Sequence, residues 1–333
     1  MSSAFRFDLN TLGLLFWVGA CLMLTALTGS VSSSLVEVWF VNVLPYFLLS
    51  LAAGVVISCG QIDISTGGVM SLAGMMIIAA FQYLGSNTGS AIAAHAIGTA
   101  LVLLIYFIYS FVATRGVSTL IATLSLLLIS KGLSTFIQSC LQGVGEICRA
   151  SGFLSGGSAI LPSWVVVAWI GHPAFSVASY ILILIAFMYW RFRSRWGLEH
   201  IAVGMDVSAS RFCRIPIGGI YTRAFIAAGG LVVLATLARL HGSARGGWSA
   251  NVGWGDELLA IAIAVIGGTR ISGGRLNPIG ILLASFGVYL SRDIIINDLG
   301  VPAEVASLLF GGLLFMVVVF NMGRSKLAGG QRG

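Results

Sequence analysis

The stretch from Cys59 to Gly68, CGQIDISTGG, is a polar interruption between two apolar runs of the chain. It contains one carboxylate, Asp63, and the hydroxyl groups of Ser65 and Thr66. A carboxylate set among apolar helices can bind a proton, contact a polar solute or accept hydrogen bonds from free backbone N–H groups. These residue types therefore predict a functional or structural centre at this stretch.

Two interpretations of Asp63 stay open on the sequence alone. In the first, its carboxylate accepts N–H bonds from Ser65 to Gly68 and caps a helix that begins near Val69. In the second, it contacts a solute directly. Two further acids, Asp256 and Glu257, open a later apolar segment, and a helix N-terminus stabilises a carboxylate by roughly 0.3–1 kcal/mol. We favour that structural role for this pair.

Motifs for nucleotide, metal and covalent chemistry are missing from the sequence. It contains no GxxxxGK[ST] loop, no HExxH, no GxSxG and no Cys/His cluster with metal-ligand spacing. We therefore predict no catalytic residue, no metal site and no cofactor bound by this chain itself. A disulfide between Cys140 and Cys148 stays an open alternative.

The composition shows what kind of chain surrounds these residues. Hydrophobic residues make up 58% of the 333 positions and charged residues only 9%, whereas a soluble domain carries about 25% charged residues. We predict an all-α polytopic membrane protein, a single transmembrane domain over residues 1–333 with about ten spanning helices. The predicted segments are 11–29, 43–58, 69–84, 91–113, 118–138, 163–190, 222–241, 257–268, 278–296 and 303–322.

The arginines predict the orientation of these helices. In a membrane protein, arginines in the loops account for the net charge of +7, which therefore does not indicate nucleic-acid binding. Basic residues concentrate in the 191–221 loop and in the C-terminal tail, and the positive-inside rule places both in the cytoplasm. Counting spans back from them places the N-terminus in the cytoplasm and the 139–162 loop outside.

The polar stretch has a partial echo late in the chain. IDISTGGVMSLAG, from Ile62 to Gly74, resembles TRISGGRLNPIG, from Thr269 to Gly280, and each follows an apolar segment that we expect to be short. Such interruptions are typical of discontinuous helices that line a pathway. The predicted pathway residues are Asp63, Ser65, Thr66, Thr269, Ser272 and Asn277. The predicted helix-break glycines are Gly60, Gly67, Gly68, Gly267, Gly268, Gly273 and Gly274.

Four ordered motifs resemble bacterial sugar ABC importer permeases of the ribose/xylose/arabinose/galactose type. ELLAIAIAVIGGTRISGGRLNPIG, from Glu257 to Gly280, is similar to the late signature of that family. The stretch around Asp63 is similar to its GGIDLSVGS motif. VSTLIATLS, from Val117 to Ser125, and GLEHIAVGMDVSASRFCRIPI, from Gly197 to Ile217, are similar to two further family motifs. Order and spacing hold from about residue 45 to 320.

The resemblance implies a permease fold with broken helices, paired with an identical or homologous second permease subunit in the bacterial inner membrane. It also implies a cytoplasmic ABC ATPase, which uses ATP and Mg, and a periplasmic sugar-binding protein, facing the 139–162 loop. The imported solute would be a pentose or a hexose. The resemblance leaves open whether the sugar is in its furanose form. The alternative is a proton-coupled secondary transporter of a small polar solute. The residues implied to couple to the ATPase are Gly204, Asp206, Ser208, Arg211 and Arg214.

Overall fold

The computed structural model describes residues 9–27, 33–85, 87–144, 160–165, 170–242 and 247–302, with single positions at 305, 308 and 312. Their secondary structure is helical, with one isolated bridge between Ile160 and Gly247. The helices are α1 Leu9–Leu27, α2 Ser33–Ser58, α3 Thr66–Leu84, α4 Thr88–Thr114, α5 Thr119–Leu141, α6 Pro173–Arg193, α7 Arg195–Met205, α8 Val207–Phe212, α9 Ile217–Gly242, α10 Asp256–Ile266 and α11 Pro278–Asp293. A π-helical turn, Ile294–Asp298, continues α11.

Seven of the described helices are long and apolar enough to cross a membrane, namely α2 to α6, α9 and α11 with its π-helical turn. A shorter apolar helix, α1, precedes them. The chain is therefore an all-α, multi-pass integral membrane protein, as the composition predicts.

Two predicted segments differ from the structure, and both differences involve a proline. The second segment is not short: α2 extends over 26 residues from Ser33, with Pro45 inside it. A buried transmembrane helix tolerates proline because neighbouring groups satisfy the freed carbonyl. The sixth helix begins at Pro173, not at 163, with His172 accepting a hydrogen bond from Ala174 N. Proline suits the first position of a helix, where its missing N–H costs nothing.

The remaining segments agree with the prediction to within a few residues, including the short α10, which has 11 residues. The tenth predicted segment, 303–322, lies almost wholly outside the described residues, as does most of the 139–162 loop. Cys140 is disulfide-bonded, and Cys148 lies outside the described residues.

Helix α2 is the centre of the fold. It packs against α9, α10 and α11, and 89% of its most apolar window is buried inside the protein. For α6 the corresponding share is 11%, so α6 is a peripheral helix whose surface faces the membrane. The two helices that flank the first polar stretch, α2 and α3, are thus the most enclosed of the seven spanning helices described.

Candidate functional site: two helix breaks beside a short helix pair

The first break follows the end of α2. Gly60 adopts a positive φ of 84°, a conformation that favours glycine, and residues 61–65 are non-helical until α3 begins at Thr66. Gly67 and Gly68, expected in the break, instead lie inside the first turn of α3. Close packing explains the small residue at position 68, because a Cβ on Gly68 would lie 2.7 Å from the Leu127 side chain.

Asp63 fixes the conformation of this break. One carboxylate oxygen accepts hydrogen bonds from the Ser65 N–H at 2.8 Å and the Ser65 hydroxyl at 2.6 Å. The other accepts one from the Tyr106 hydroxyl at 2.9 Å. The Asp63 side chain has no solvent exposure. Of the first interpretation, the hydrogen bond from the Ser65 N–H is confirmed. The helix cap is wrong, because α3 begins at Thr66 rather than Val69 and its N-cap, Ser65, has no side-chain capping bond.

Tyr106 is a partner that the sequence reading did not find. It is fully buried in α4, and a Cβ on Gly229 of α9 would lie 2.8 Å from its ring. It lies eight residues before the last residue of α4, or about 12 Å along the helix axis at 1.5 Å per residue. Asp63 therefore lies well inside the helical bundle. A buried tyrosine hydroxyl needs a polar partner, and a tyrosine inside an apolar helix is the signal that could have indicated this contact.

The start of α3 packs against the start of α10. A Cβ on Gly67 would lie 2.3 Å from both Gly253 O and Glu257 Oε2. Glu257 Oε1 accepts the Gly255 N–H at 3.1 Å, which agrees with its expected helix N-terminal role. Its other oxygen is buried without a hydrogen-bond partner among the described residues.

Lys131 of α5 is a buried cation beside this contact, and the sequence reading passed over it. Its Nζ donates to Ala250 O at 3.4 Å and to Val252 O at 3.5 Å, and lies 4.9 Å from the centre of the Trp254 ring. It also interacts electrostatically with Glu257. A lysine inside a spanning helix is itself a signal of a functional site.

The second break, residues 267–277, joins α10 to α11 with backbone bonds. Gly268, Gly273 and Gly274 have positive φ values of 95°, 85° and 80°. The break folds back on itself, because Arg270 N donates to Arg275 O at 3.3 Å.

The side chains of this break occupy three different environments. Thr269 is buried, and a Cβ on Gly54 of α2 would lie 3.6 Å from its hydroxyl. Ser272 is exposed in the turn. Asn277 caps α11, since its Oδ1 accepts the Gly280 N–H at 3.2 Å. Gly267 packs closely against the first turn of α11. The predicted pathway residues therefore do not form one cluster.

The end of α2, directly before the first break, meets the second break at the end of α7, in a contact that we call the break junction (Ser58, His200, Gly204, Gly273 and Gly274). Gly274 N donates to Ser58 O at 2.8 Å. A Cβ on Gly204 would lie 1.9 Å from Ser58 O and 2.6 Å from Gly274 N. Only glycine fits this position without moving the backbone of both breaks.

His200 attaches α7 to the same point. Its Nε2 lies 2.9 Å from the Ser58 hydroxyl and 3.0 Å from Val55 O. The ring is 3% exposed, and burial lowers its pKa to about 4. The imidazole is therefore neutral near pH 7, and it holds the end of α2 through hydrogen bonds alone.

Helix α8 presents the remaining residues of the predicted coupling group to solvent. Asp206 caps it by accepting the N–H groups of Ser208 at 2.7 Å and Ala209 at 3.0 Å. Arg211 and Arg214 are exposed, and Arg214 adopts a positive φ of 57° in the turn that follows. Gly204 differs from these residues, because it is buried at the break junction.

The family described as branched-chain amino acid transport system / permease component matches residues 35–318. The chain belongs to this permease family. Its role is therefore transport across a membrane, in agreement with the predicted permease and with the seven apolar helices. Among the described residues, the permease has no group of three or more His, Cys, Asp or Glu side chains that could hold a metal ion.

Three curated relatives of the permease are import permeases. Fructose import permease protein FruF of Bifidobacterium longum (strain NCC 2705) is 29% identical over 280 residues, 83% of this chain and 74% of the relative. Autoinducer 2 import system permease protein LsrD of Enterobacter sp. (strain 638) is 29% identical over 215 residues, 63% and 61% of the two chains. Galactofuranose transporter permease protein YtfT of Escherichia coli (strain K12) is 26% identical over 286 residues, 84% and 77%. No solved structure gave a significant match.

Proposed function

We propose that the chain is the membrane-spanning permease subunit of an ATP-driven ABC importer for a monosaccharide, a pentose or a hexose. The single observation that carries this proposal is the break junction, where the end of α7 touches both the end of α2 and the second break. The names of the relatives support the solute class, since they include fructose and galactofuranose transport. Autoinducer 2, named for another relative, extends the range to other small polar solutes.

The proposed partners follow the permease family. A cytoplasmic ABC ATPase, which uses ATP and Mg, docks on α8; a periplasmic binding protein delivers the sugar; and a second permease subunit, identical or homologous, completes the pathway. In this arrangement the chain lies in the bacterial inner membrane with both termini cytoplasmic. The 191–221 loop is then cytoplasmic, and the 139–162 loop is periplasmic. The concentration of arginines at 191–221 supports this orientation.

Docking on α8 would use its exposed basic side. Arg211 and Arg214 are free to meet acidic groups or carbonyl oxygens of the ATPase, and Phe212, 90% exposed, offers an apolar anchor. Asp206 and Ser208 stabilise the first turn, which keeps this short helix preformed. ATP shifts the permease between outward- and inward-open states only if the docked ATPase has different affinities for them.

The break junction would transmit that movement to the pathway. Displacement of α7 and α8 acts on Ser58 through His200 and on Gly274 through the close approach at Gly204. Both breaks then move together, because the Gly274–Ser58 hydrogen bond joins them. Asp63 serves to keep the first break in shape, and its lack of exposure supports this role over direct contact with sugar.

Reconstituted transport tests the proposal. The permease, its cognate ATPase and its binding protein would be placed in proteoliposomes, and uptake of labelled fructose, galactose and ribose would be measured. We expect uptake that requires both ATP and the ATPase. Uptake that persists without ATP but collapses when the proton gradient is dissipated would instead identify the secondary transporter.

A further inference from the structure

A cavity of about 430 Å³ lies where α6 ends and α9 begins, beneath α7. It is separate from the helix breaks, although it shares His200 with the break junction. Its walls come from four helices, so no single segment encloses it. The residues that matter for its chemistry are Val55, His200, Ile220, Ala224, Trp196 and Arg223.

The floor of the cavity is apolar and closed. Val55, Ile220 and Ala224 are each 1% exposed, and they present only hydrocarbon. His200 is also part of the floor, but its Nε2 is engaged with Val55 O and the Ser58 hydroxyl. The floor therefore favours a hydrocarbon chain over a polar solute.

The rim of the cavity is exposed and cationic. The Arg223 guanidinium lies 4.5 Å from the centre of the Trp196 ring, and both side chains are exposed. Among the described residues, no carboxylate lies within ion-pair distance of Arg223. The ion pair found among those residues joins Arg195 and Glu199. The stacked guanidinium keeps its N–H edge free for an anionic oxygen.

The cavity also lies at a membrane boundary. Arg191 and Arg193 occupy the last turn of α6, and Trp190 and Trp196 both line the cavity. Arginine and tryptophan together are typical of the level of lipid headgroups. Only 11% of the most apolar window of α6 is buried inside the protein. The α6 side of the cavity therefore borders lipid.

We propose that this cavity binds an anionic phospholipid, with one acyl chain on the apolar floor and the phosphate on Arg223. The combination of a closed hydrocarbon floor and a single cation at its edge matches both parts of such a molecule. A neutral phospholipid would fill the floor but lacks the net charge that Arg223 attracts. This inference does not depend on which solute the permease imports.

Native mass spectrometry of the full-length permease tests this site. The delipidated protein would be titrated with dioleoyl phosphatidylglycerol and, in parallel, with dioleoyl phosphatidylcholine. We expect tighter retention of phosphatidylglycerol by the unmodified chain. Arg223→Gln should weaken that retention about fivefold, the attraction of one basic residue for an anionic lipid surface, and leave phosphatidylcholine unchanged.

Two matched variants identify the location. Arg193→Gln removes an equal charge from the same boundary but from outside the cavity lining, so it should retain phosphatidylglycerol like the unmodified chain. Ala186→Trp should fill the cavity and abolish the preference, since Ala186 lines it and is exposed. Equal effects of Arg223→Gln and Arg193→Gln, or equal retention of the two lipids by the unmodified chain, would overturn the proposal.

A second permease chain is the competing occupant. Ala186→Cys in a Cys213→Ser background, which removes the exposed native thiol, would report it by oxidative cross-linking. We expect no cross-linked dimer in phosphatidylglycerol bilayers. Efficient cross-linking there, with no lipid retained, would show that this face is a subunit interface and that the lipid proposal is wrong.

Discussion

The two helix breaks have similar sequences but are stabilised in different ways. The first break is held by one ionisable side chain, Asp63, which receives bonds from its own segment and from Tyr106 on a distant helix. The second break is held by backbone bonds, close glycine contacts, a cap from Asn277 and a hydrogen bond that the Arg191 guanidinium of α6 donates to Leu276 O. Similar Ile-Ser and Gly-Gly patterns therefore need not imply similar stabilisation.

Different substitutions should therefore destabilise the two breaks. A segment fixed by a buried carboxylate fails when its acceptor is removed, because the donors that remain are buried and unpaired. A segment fixed by close backbone approach fails when a Cβ is added. The two breaks share one element, the break junction, so we expect the largest effect from a change there.

Gly204→Ala should have the largest effect on stability, because it disrupts both breaks. The added Cβ would lie 1.9 Å from Ser58 O, and overpacking of this kind costs about 3 kcal/mol. Thermal unfolding of the purified protein in detergent would measure the loss. Gly230→Ala in α9 is the control, since a Cβ there meets nothing within 4 Å; equal melting temperatures for the two variants would show that the junction is not tightly packed.

Asp63→Ala should be less destabilising and should affect the first break alone. It leaves the Ser65 N–H and the Tyr106 hydroxyl without their acceptor, at about 2 kcal/mol. The yield of folded protein should fall more than the preference among sugars changes. Normal yield together with altered selectivity would mean that Asp63 contacts the solute. Tyr106→Phe, combined with Asp63→Ala in a double-mutant cycle, isolates their shared hydrogen bond.

Asn277→Ala should have the smallest effect on stability of the three and sharpens the comparison between the breaks. It removes the cap of α11, worth about 1 kcal/mol, while the backbone bonds of the second break remain. The same thermal measurement applies, with Asn277→Ser as the control, because serine retains a capping oxygen. A loss as large as that of Asp63→Ala would mean that the second break also depends on a single side chain.

The sequence predicted most of the fold because hydrophobic runs of sufficient length define spanning helices. The start of α2 at Ser33 was not predicted, since Glu37 and Asn42 interrupt the apolar run before residue 43. The sequence also predicted that Asp63 and Gly60 mark a break, since both contrast with the residues around them. It could not reveal Tyr106 or His200 as partners, because their contacts join positions 43 and 142 residues apart in the chain.

The repeated Ile-Ser and Gly-Gly pattern predicts two breaks near one pathway. It does not predict the contact at the break junction. Gly204 was assigned to the ATPase surface because it lies in the same motif as Asp206 and Arg211. Burial separates it from them: Gly204 lies beneath α8 against the two breaks. Only packing in three dimensions distinguishes the buried Gly204 from the exposed Asp206 and Arg211 of the same motif.

In the proposed mechanism, α8 receives the ATPase and the break junction carries its movement to both breaks. The number of sugar molecules imported per ATP hydrolysed would be measured in proteoliposomes for the Arg211→Glu/Arg214→Glu permease. The charge-matched control is Arg115→Glu/Arg193→Glu, which changes Arg115 directly after α4 and Arg193 in the last turn of α6. The account predicts that import falls at least tenfold, about 1.4 kcal/mol, in the first variant alone, with its melting temperature unchanged. Normal import per ATP in that variant would contradict the account.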